Sequence, residues 1–488
     1  MGIGGIGRLG RLGRPAPGKG GGYWWLPAAP SMTVPTGGNI YVSGTSPLSL
    51  PAGNDTTGDG TAAKPYATLT KAMSVIPVGG NRLVLCDGTF TENNGGRWVL
   101  NGNYSSPIMF DTYFDATNGQ SPFIISNASG TAGVVTVRSN ATNNVQIRRA
   151  TIRPTTDGSP AIQFNPTGNG LASNIYFFDC VIEVRTHSSS AGYAIDLLTD
   201  FTITNIQAVR CTFTRTAGSS TTANPSILRC GPTTLTTANQ PYSSIGLWYC
   251  TTSDSNWLRF SALVAGVAGI DIIGCSFSIT GTYGIMLGQD SSGGTTPKVT
   301  SPRIWGNTVI TTGASAHGIL IGENATAADV AKNTVNSTLQ GVVTKGSANC
   351  TVRQNTVSLT NSVNGSALYA KASNGSSFTD NVVSVSGTGA GAGWREGVDG
   401  SNKASNTTFT GNRLTISGAS ATALQWADST GSTGGAAAND NNITLTSSAT
   451  LGIVRGTAVS TQADLRAVWG TAGLAGDSAT NDSRSLVA

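Results

Sequence analysis

The sequence predicts an all-β chain folded as a single-stranded right-handed parallel β-helix. Three observations predict it: a recurring apolar–bend–apolar pattern, a second small–apolar register in phase with it, and a composition poor in charge. The bend pattern is visible on alignment: Arg149-Ala150-Thr151-Ile152, Asp179-Cys180-Val181-Ile182, Arg210-Cys211-Thr212-Phe213, Tyr249-Cys250-Thr251-Thr252 and Gly274-Cys275-Ser276-Phe277. It continues at Asn307, Asn333, Asn355, Asn381, Asn412 and Asn441, each followed two residues later by Val, Leu or Ile. The residue three before every bend is apolar, from Ile147 and Phe177 to Phe409 and Ala438. Such a pattern describes two short strands, each alternating inward and outward at period two, that meet at a tight turn.

The interval between bends runs from 22 residues (Asn333 to Asn355) to 39 (Cys211 to Cys250). A fixed core pattern with variable spacing means that loops absorb the insertions while successive coils stack ~4.8 Å apart. Asn suits the bend because it tolerates the left-handed backbone region and its amide can bond the equivalent amide one coil away. In the earlier coils the slot holds Ala150 and then cysteine, where a small side chain fits without an amide ladder. The second register reads Tyr193-Ala194-Ile195, Tyr283-Gly284-Ile285, His317-Gly318-Ile319, Gln340-Gly341-Val342, Ser366-Ala367-Leu368 and onward to Leu451-Gly452-Ile453. A small residue before an inward apolar one marks a corner of close backbone approach.

Charged residues make up 11% of the 488 and hydrophobic residues 38%, with 64 glycines. Apolar residues recurring in short runs argue against bulk disorder. The net charge of +5 resides largely in Arg8, Arg11, Arg14 and Lys19, which leaves the body nearly neutral and unlike a nucleic-acid binder. No apolar run is long enough to span a bilayer, and the Gly-interrupted start lacks the core of a signal peptide. The expectation is a chain with neither nucleic acid nor membrane as partner, not exported by the general secretory route.

The elements follow in order. Residues 1–50 form an extended Gly-rich basic arm whose Tyr23, Trp24 and Trp25 make an aromatic anchor suited to docking on a partner. Residues 51–95 hold an opening motif and a short capping helix: Pro65 suits a first helical turn, and Tyr66, Leu69, Ala72 and Met73 fall on one face. Residues 96–450 are the coils, and 451–488 the closing segment.

The stretch Gly53-Asn54-Asp55-Thr56-Thr57-Gly58-Asp59-Gly60-Thr61 through Pro65-Tyr66-Ala67-Thr68-Leu69 resembles the opening motif of right-handed β-helix proteins of the pectate-lyase-like superfamily. Asp87-Gly88-Thr89-Phe90 is similar to the turn that closes the first coil there, and Ala463-Asp464-Leu465-Arg466-Ala467-Val468-Trp469-Gly470 to the closing segment. The resemblance covers about residues 50–480. It implies the fold and says little of activity, because the superfamily includes lyases, hydrolases, epimerases, phage tailspikes and inert binding proteins.

Cys180, Cys211, Cys250 and Cys275 occupy the bend slot, where side chains on neighbouring coils point the same way. Buried free thiols are therefore expected, with a Cys180–Cys211 or Cys250–Cys275 bridge the alternative. Two histidines and no Cys-x-x-Cys predict no metal and no cofactor. His317 faintly resembles a polygalacturonase His-Gly motif but lacks the accompanying acids, and reads as a corner residue. Asp55 and Asp59 read as Asx turns rather than calcium ligands.

Outward positions of the second register give an apolar row, Met286, Leu320, Val343 and Tyr369, expected to be buried against a neighbouring subunit. Beside it Lys345, Lys371, Tyr369, Arg395, Trp426 and Asp428 are glycan-binding candidates, and Asp290 and Glu323 the weak candidates for catalysis. The resulting functional expectation is a phage virion appendage, a tail fibre, spike or head fibre. It would be homo-oligomeric with a trimer as the expected order, docked on other virion proteins through residues 1–50, and recognise host-surface polysaccharide. The sequence leans away from an enzyme; the alternative is a polysaccharide lyase or hydrolase acting on acidic glycans, and an exported surface adhesin is a third reading.

Overall fold

The computed structural model describes residues 25–463 and 486–487 apart from loop segments. Those left out are 45–49, 91–97, 127–132, 165–170, 186–191, 198–201, 217–225, 231–241, 253–259, 263–266, 289–298, 361–364, 398–403, 427–436 and a few shorter positions. Its strands stack in parallel along three faces, as a right-handed β-helix requires. The first face runs from Asn39–Val42 through Arg82–Leu85, Asn103–Thr112 and Ala141–Arg148 up to Ala437–Asn439. The second runs from Gly88–Phe90 to Asn442–Leu445, where Leu486–Val487 adds the last strand. The third is built in two sections, six strands between Trp98–Leu100 and Phe260–Ala262 and seven from Tyr283–Leu287 to Thr450–Val454, which Thr457–Val459 closes as an antiparallel eighth.

The anticipated apolar positions around the bend lie in the core wherever their side chains are described. Ile147, Phe177, Ile272, Ile304, Val330, Val352, Phe378 and Phe409 lie before it, and Ile152, Ile182, Phe213, Val309, Val335, Val357 and Leu414 after it, all buried in one continuous cluster. The six asparagines form one buried ladder. Nδ2 of Asn307, Asn333, Asn355, Asn381 and Asn412 each donates to Oδ1 of the next at 2.9–3.0 Å. Each Oδ1 from Asn333 to Asn441 also accepts the backbone N–H of the asparagine before it in the ladder.

The left-handed residue, however, precedes the asparagine rather than being it: Arg149, Asp179, Arg210, Tyr249, Lys332, Gln354 and Asp380 have φ of 53–56°, and Gly274, Gly306 and Gly411 of 64–69°. Each non-glycine there costs roughly 1–2 kcal/mol. The turn accepts that because it aims the next side chain, Cys or Asn, into the column.

The small residues of the second register are crowded as expected. A Cβ on Gly318 would lie 2.3 Å from Val335 Cγ1, and one on Gly341 2.3 Å from Val357 Cγ1. All six described cysteine side chains are free and buried. The short helix spans Leu69–Ser74 and starts later than predicted: Thr68 caps it by accepting from Lys71 N, and Pro65 lies before it. Leu69 and Ala72 join the core beside Val42 and Leu83.

Asp59 accepts from Thr61 N and Oγ1 in an Asx turn as expected, but Asp55 makes no such turn: it accepts from Ala67 N, Thr68 N and Thr68 Oγ1, tying the opening segment to the start of the short helix. Of the closing motif, 464–470 lie outside the described residues.

The arm differs from expectation. Asn39–Val42 is the first strand of the stack, paired with Arg82–Leu85, so residues 1–50 are not one extended segment. Trp25 and Leu26 lie on the outer side of the first face, packed with Phe178, Val209, Trp248 and Ile273. The physical reason is that this face carries its own apolar row, and an aromatic segment covers the apolar surface within reach before any partner is met. Tyr23 and Trp24 lie outside the described residues.

Candidate functional site

The third face places its candidates by strand register. Tyr283–Leu287, His317–Ile321, Gln340–Lys345, Ser366–Lys371 and Ala392–Gly397 pair in sequence, which puts Met286, Leu320, Val343, Tyr369 and Arg395 in one row. Alternation turns this row away from the main core, as predicted. The four apolar side chains form a separate buried cluster, 0–1 % exposed for Met286, Leu320 and Val343 and 6 % for Tyr369, with Tyr283 packed against it. The row is thus covered within a single chain. No surface is left on these four side chains for a neighbouring subunit, and the expected interface at Met286, Leu320, Val343 and Tyr369 is corrected accordingly.

Where the apolar row ends, a charged edge begins. The Arg395 guanidinium lies over the Tyr369 ring at 5.2 Å, a cation–π arrangement. Its Nε is buried without a hydrogen-bond partner, and among the described residues Arg395 makes no ion pair. Lys345 and Lys371 stand in register on adjacent strands, half-buried, and the next register position is Gly397. A Cβ at Gly397 would sit 2.9 Å from Tyr369 Oη, so glycine leaves the ring room. Glu323 is 7 % exposed and folds over Gly346, where a Cβ would meet its Cγ at 2.6 Å. Among the described residues this edge carries three cationic side chains, Lys345, Lys371 and Arg395, and one carboxylate, Glu323, a set that suits an anionic or hydroxyl-rich ligand.

The Trp426 backbone pairs with Glu396. Its side chain, like Asp290 and Asp428, lies outside the described residues. Glu396 itself is buried and accepts from Thr407 Oγ1 at 2.8 Å, an inward carboxylate that the sequence reading passed over. Asp111 was also missed: wholly buried, it takes Arg82 and Arg149 at 2.7 Å and Arg148 at 3.3 Å. Those partners lie up to 38 residues away in sequence, and only the coil register brings them together. His317, the first residue of its strand, lies against Tyr283 with ring centroids 5.0 Å apart and planes tilted by 36°.

A family profile described as Periplasmic copper-binding protein (NosD) matches residues 235–456, under half of the chain. The described residues there do not assemble a copper site. Cys250 and Cys275 are fully buried and donate to backbone carbonyls, and no group of three or more His, Cys, Asp or Glu side chains converges among the described residues.

A search of curated proteins finds no match. Among solved structures, the chain is similar to tailspike protein 3 of bacteriophage CBA120, at 12% identity and a TM-score of 0.46, over 82% of this chain and 60% of that one. The chain therefore spans about three fifths of the tailspike's length. It is also similar to the GH136 lacto-N-biosidase from Eubacterium ramulus, at 12% identity and a TM-score of 0.43, over 84% of this chain and 68% of that one. A third is the A-module of the Azotobacter vinelandii mannuronan C-5 epimerase AlgE6, at 14% identity and a TM-score of 0.39, over 83% of this chain and 90% of that one. At such identities the likeness speaks to fold alone.

Proposed function

We propose that the chain is a glycan-recognising β-helix carried on a phage particle as a homo-oligomeric tail fibre, spike or head fibre. The observation that carries the recognition half is the Arg395 guanidinium, without an ion-pair partner among the described residues, placed over the Tyr369 ring at 5.2 Å next to the in-register pair Lys345 and Lys371. A guanidinium whose rotamers are restricted by stacking loses little freedom on pairing with a carboxylate or sulfate. Lysines one strand apart repeat at ~4.8 Å, close to the length of a sugar unit, so an extended acidic polysaccharide can lie along the stack. The virion half is supported by the architecture: a long parallel stack, with a buried amide ladder from Asn307 to Asn441, suits an extended appendage.

Binding of the full chain to acidic polysaccharides, measured by calorimetry at two salt concentrations, tests the recognition half. Arg395→Ala should weaken binding about tenfold, the loss of one charge-assisted contact, and the remaining affinity should fall with salt. Arg413→Ala, an exposed arginine on the second face, is the control. Equal affinity of Arg395→Ala and wild type rejects this edge as the site. Polysaccharide cleavage by wild type that Glu323→Gln abolishes would replace recognition with catalysis. Detection of the chain in purified phage particles by mass spectrometry decides its placement.

A further inference from the structure

The segment from Trp25 to Thr33 is seated along the outer side of the first face as a ligand is seated in a groove. Leu26 is 8 % exposed and fills a notch made by two glycines. A Cβ at Gly306 would lie 2.8 Å from Trp25 Cη2 and 3.0 Å from Leu26 Cδ2, and one at Gly274 3.5 Å from Leu26 Cδ1. Equivalent positions on other coils carry Arg149, Asp179, Arg210, Tyr249 and Lys332, any of which would close the notch. Lys332 Nζ lies 4.2 Å from the centre of the Trp25 ring. Tyr249 Oη donates to Pro27 O at 3.4 Å. At the far end the Gln146 amide grips the backbone of Thr33 twice, accepting from its N at 2.9 Å and donating to its O at 2.8 Å.

An aromatic-aliphatic pocket, a cation on the ring and a two-point backbone clamp are the parts of a peptide-binding groove. We propose that the first face carries such a groove, closed in cis by residues 25–33, and that the occupant it exchanges is the same segment of a second copy of this chain. The groove's fittings match this segment feature by feature: leucine in the glycine notch, tryptophan under the lysine, a carbonyl at Tyr249, a full peptide unit at Gln146. The link to the first strand permits exchange, since Val34 is 58 % exposed and only from Gly37 onward is the backbone pinned again, to Gly80 O at 2.8 Å. Within one chain the strap competes at high effective concentration, so closure in cis dominates over exchange between copies until protein concentration is high. The proposal does not rest on the glycan-recognition reading.

The test uses full-length chains and a labelled synthetic peptide of residues 23–36. Leu26→Asp places a charge in the notch and releases the strap. The peptide then binds this variant at least about tenfold more tightly than wild type, whose groove is occupied. Trp25→Ala serves if Leu26→Asp does not fold, and Gln146→Ala in the same background weakens the peptide again. In parallel, wild type held at high concentration forms dimers that Leu26→Asp does not. Folded Leu26→Asp that binds peptide no better than wild type overturns the groove; equal dimer fractions in wild type and Leu26→Asp overturn the exchange between copies.

Discussion

The coils bent at cysteine and those bent at asparagine use one backbone and two chemistries. In both, the bend side chain points into the column and donates to the carbonyl three residues before the preceding bend. Cys250 Sγ reaches Ala208 O at 3.4 Å, and Asn355 Nδ2 reaches Val330 O at 2.9 Å. The difference is on the accepting side. Asn355 Oδ1 takes both the N–H and the Nδ2 of Asn333, whereas a thiol sulfur is a weak acceptor, as in the 3.4 Å contact from Cys250 N to Cys275 Sγ.

The strands compensate. First-face strands run unbroken for eight residues at Leu171–Phe178 and Thr202–Val209, whereas in the asparagine coils the same face is divided into short pieces, Val299–Thr300 with Arg303–Trp305 and Ala325–Thr326 with Asp329–Ala331. An outer amide ladder runs from Asn205 to Asn174 to Asn144, in the coils bent at Cys211, Cys180 and Ala150, and the strap from Trp25 to Thr33 lies mainly over the cysteine coils. Where the inner ladder is absent, backbone pairing and an external cover hold the coil instead.

The largest effect that would sharpen this contrast is expected in the asparagine half. Asn355→Ala removes the acceptor of two Asn333 donors, the donor to Val330 O and the donor to Asn381 Oδ1. Each buried group left unsatisfied costs about 1–3 kcal/mol, so the loss should reach about 3–5 kcal/mol in urea unfolding. Cys250→Ala, which orphans no strong donor, should cost clearly less. Comparable losses at the two positions would break the comparison.

Alkaline pH should act on the other half. Burial pushes the thiols of Cys180, Cys211 and Cys250 well above the usual cysteine range. Their folded-state values are raised, so above about pH 8.5 the unfolded chain releases protons that the native column retains. Stability from this source is intact below that pH and declines as pH rises further. Wild type should lose stability between neutral and strongly alkaline solution, and Cys211→Ala should lose less. The native thiols should also resist alkylation at pH 8 until denaturant is added. Rapid modification in the folded state would contradict the buried column.

Much of this was legible in the sequence because the bend constrains it tightly. Inward neighbours at fixed offsets from Cys180 or Asn333 must be apolar, and a two-residue period leaves no other side for them. The shift of left-handed backbone to the residue before the bend was not legible, since Arg149, Asp179, Lys332 and Gln354 share no chemistry that signals it. Alternation also separated Met286, Leu320, Val343 and Tyr369 from the core correctly. It tells the side of a sheet, though, not what lies above it, so a cover from the same chain looked like an interface. Trp25 read correctly as a residue needing burial. Its place against Lys332, more than 300 residues away, depends on how far the strap travels up the stack. At the candidate edge, outward register puts Tyr369 beside Arg395 and Lys345 beside Lys371, while the side chain of Trp426 lies outside the described residues.

The smallest expected effect probes the junction between the two halves. Cys275 is the last thiol, and its backbone N–H already donates to Asn307 Oδ1 at 2.8 Å. Its thiol donates to Leu247 O at 3.4 Å, the carbonyl an asparagine amide would use in that slot. Cys275→Asn should therefore extend the ladder by one rung, adding an Nδ2 bond to Asn307 Oδ1 and one to Leu247 O, with its own Oδ1 facing Cys250 N. A net gain of about 1 kcal/mol is expected, the typical worth of one well-made hydrogen bond after the loss of water. Urea unfolding of wild type and Cys275→Asn measures it. If the variant is destabilised instead, the cysteine column is not a site awaiting an amide but a narrower channel set by its long strands. The two halves would then be separate solutions to stacking rather than one ladder interrupted.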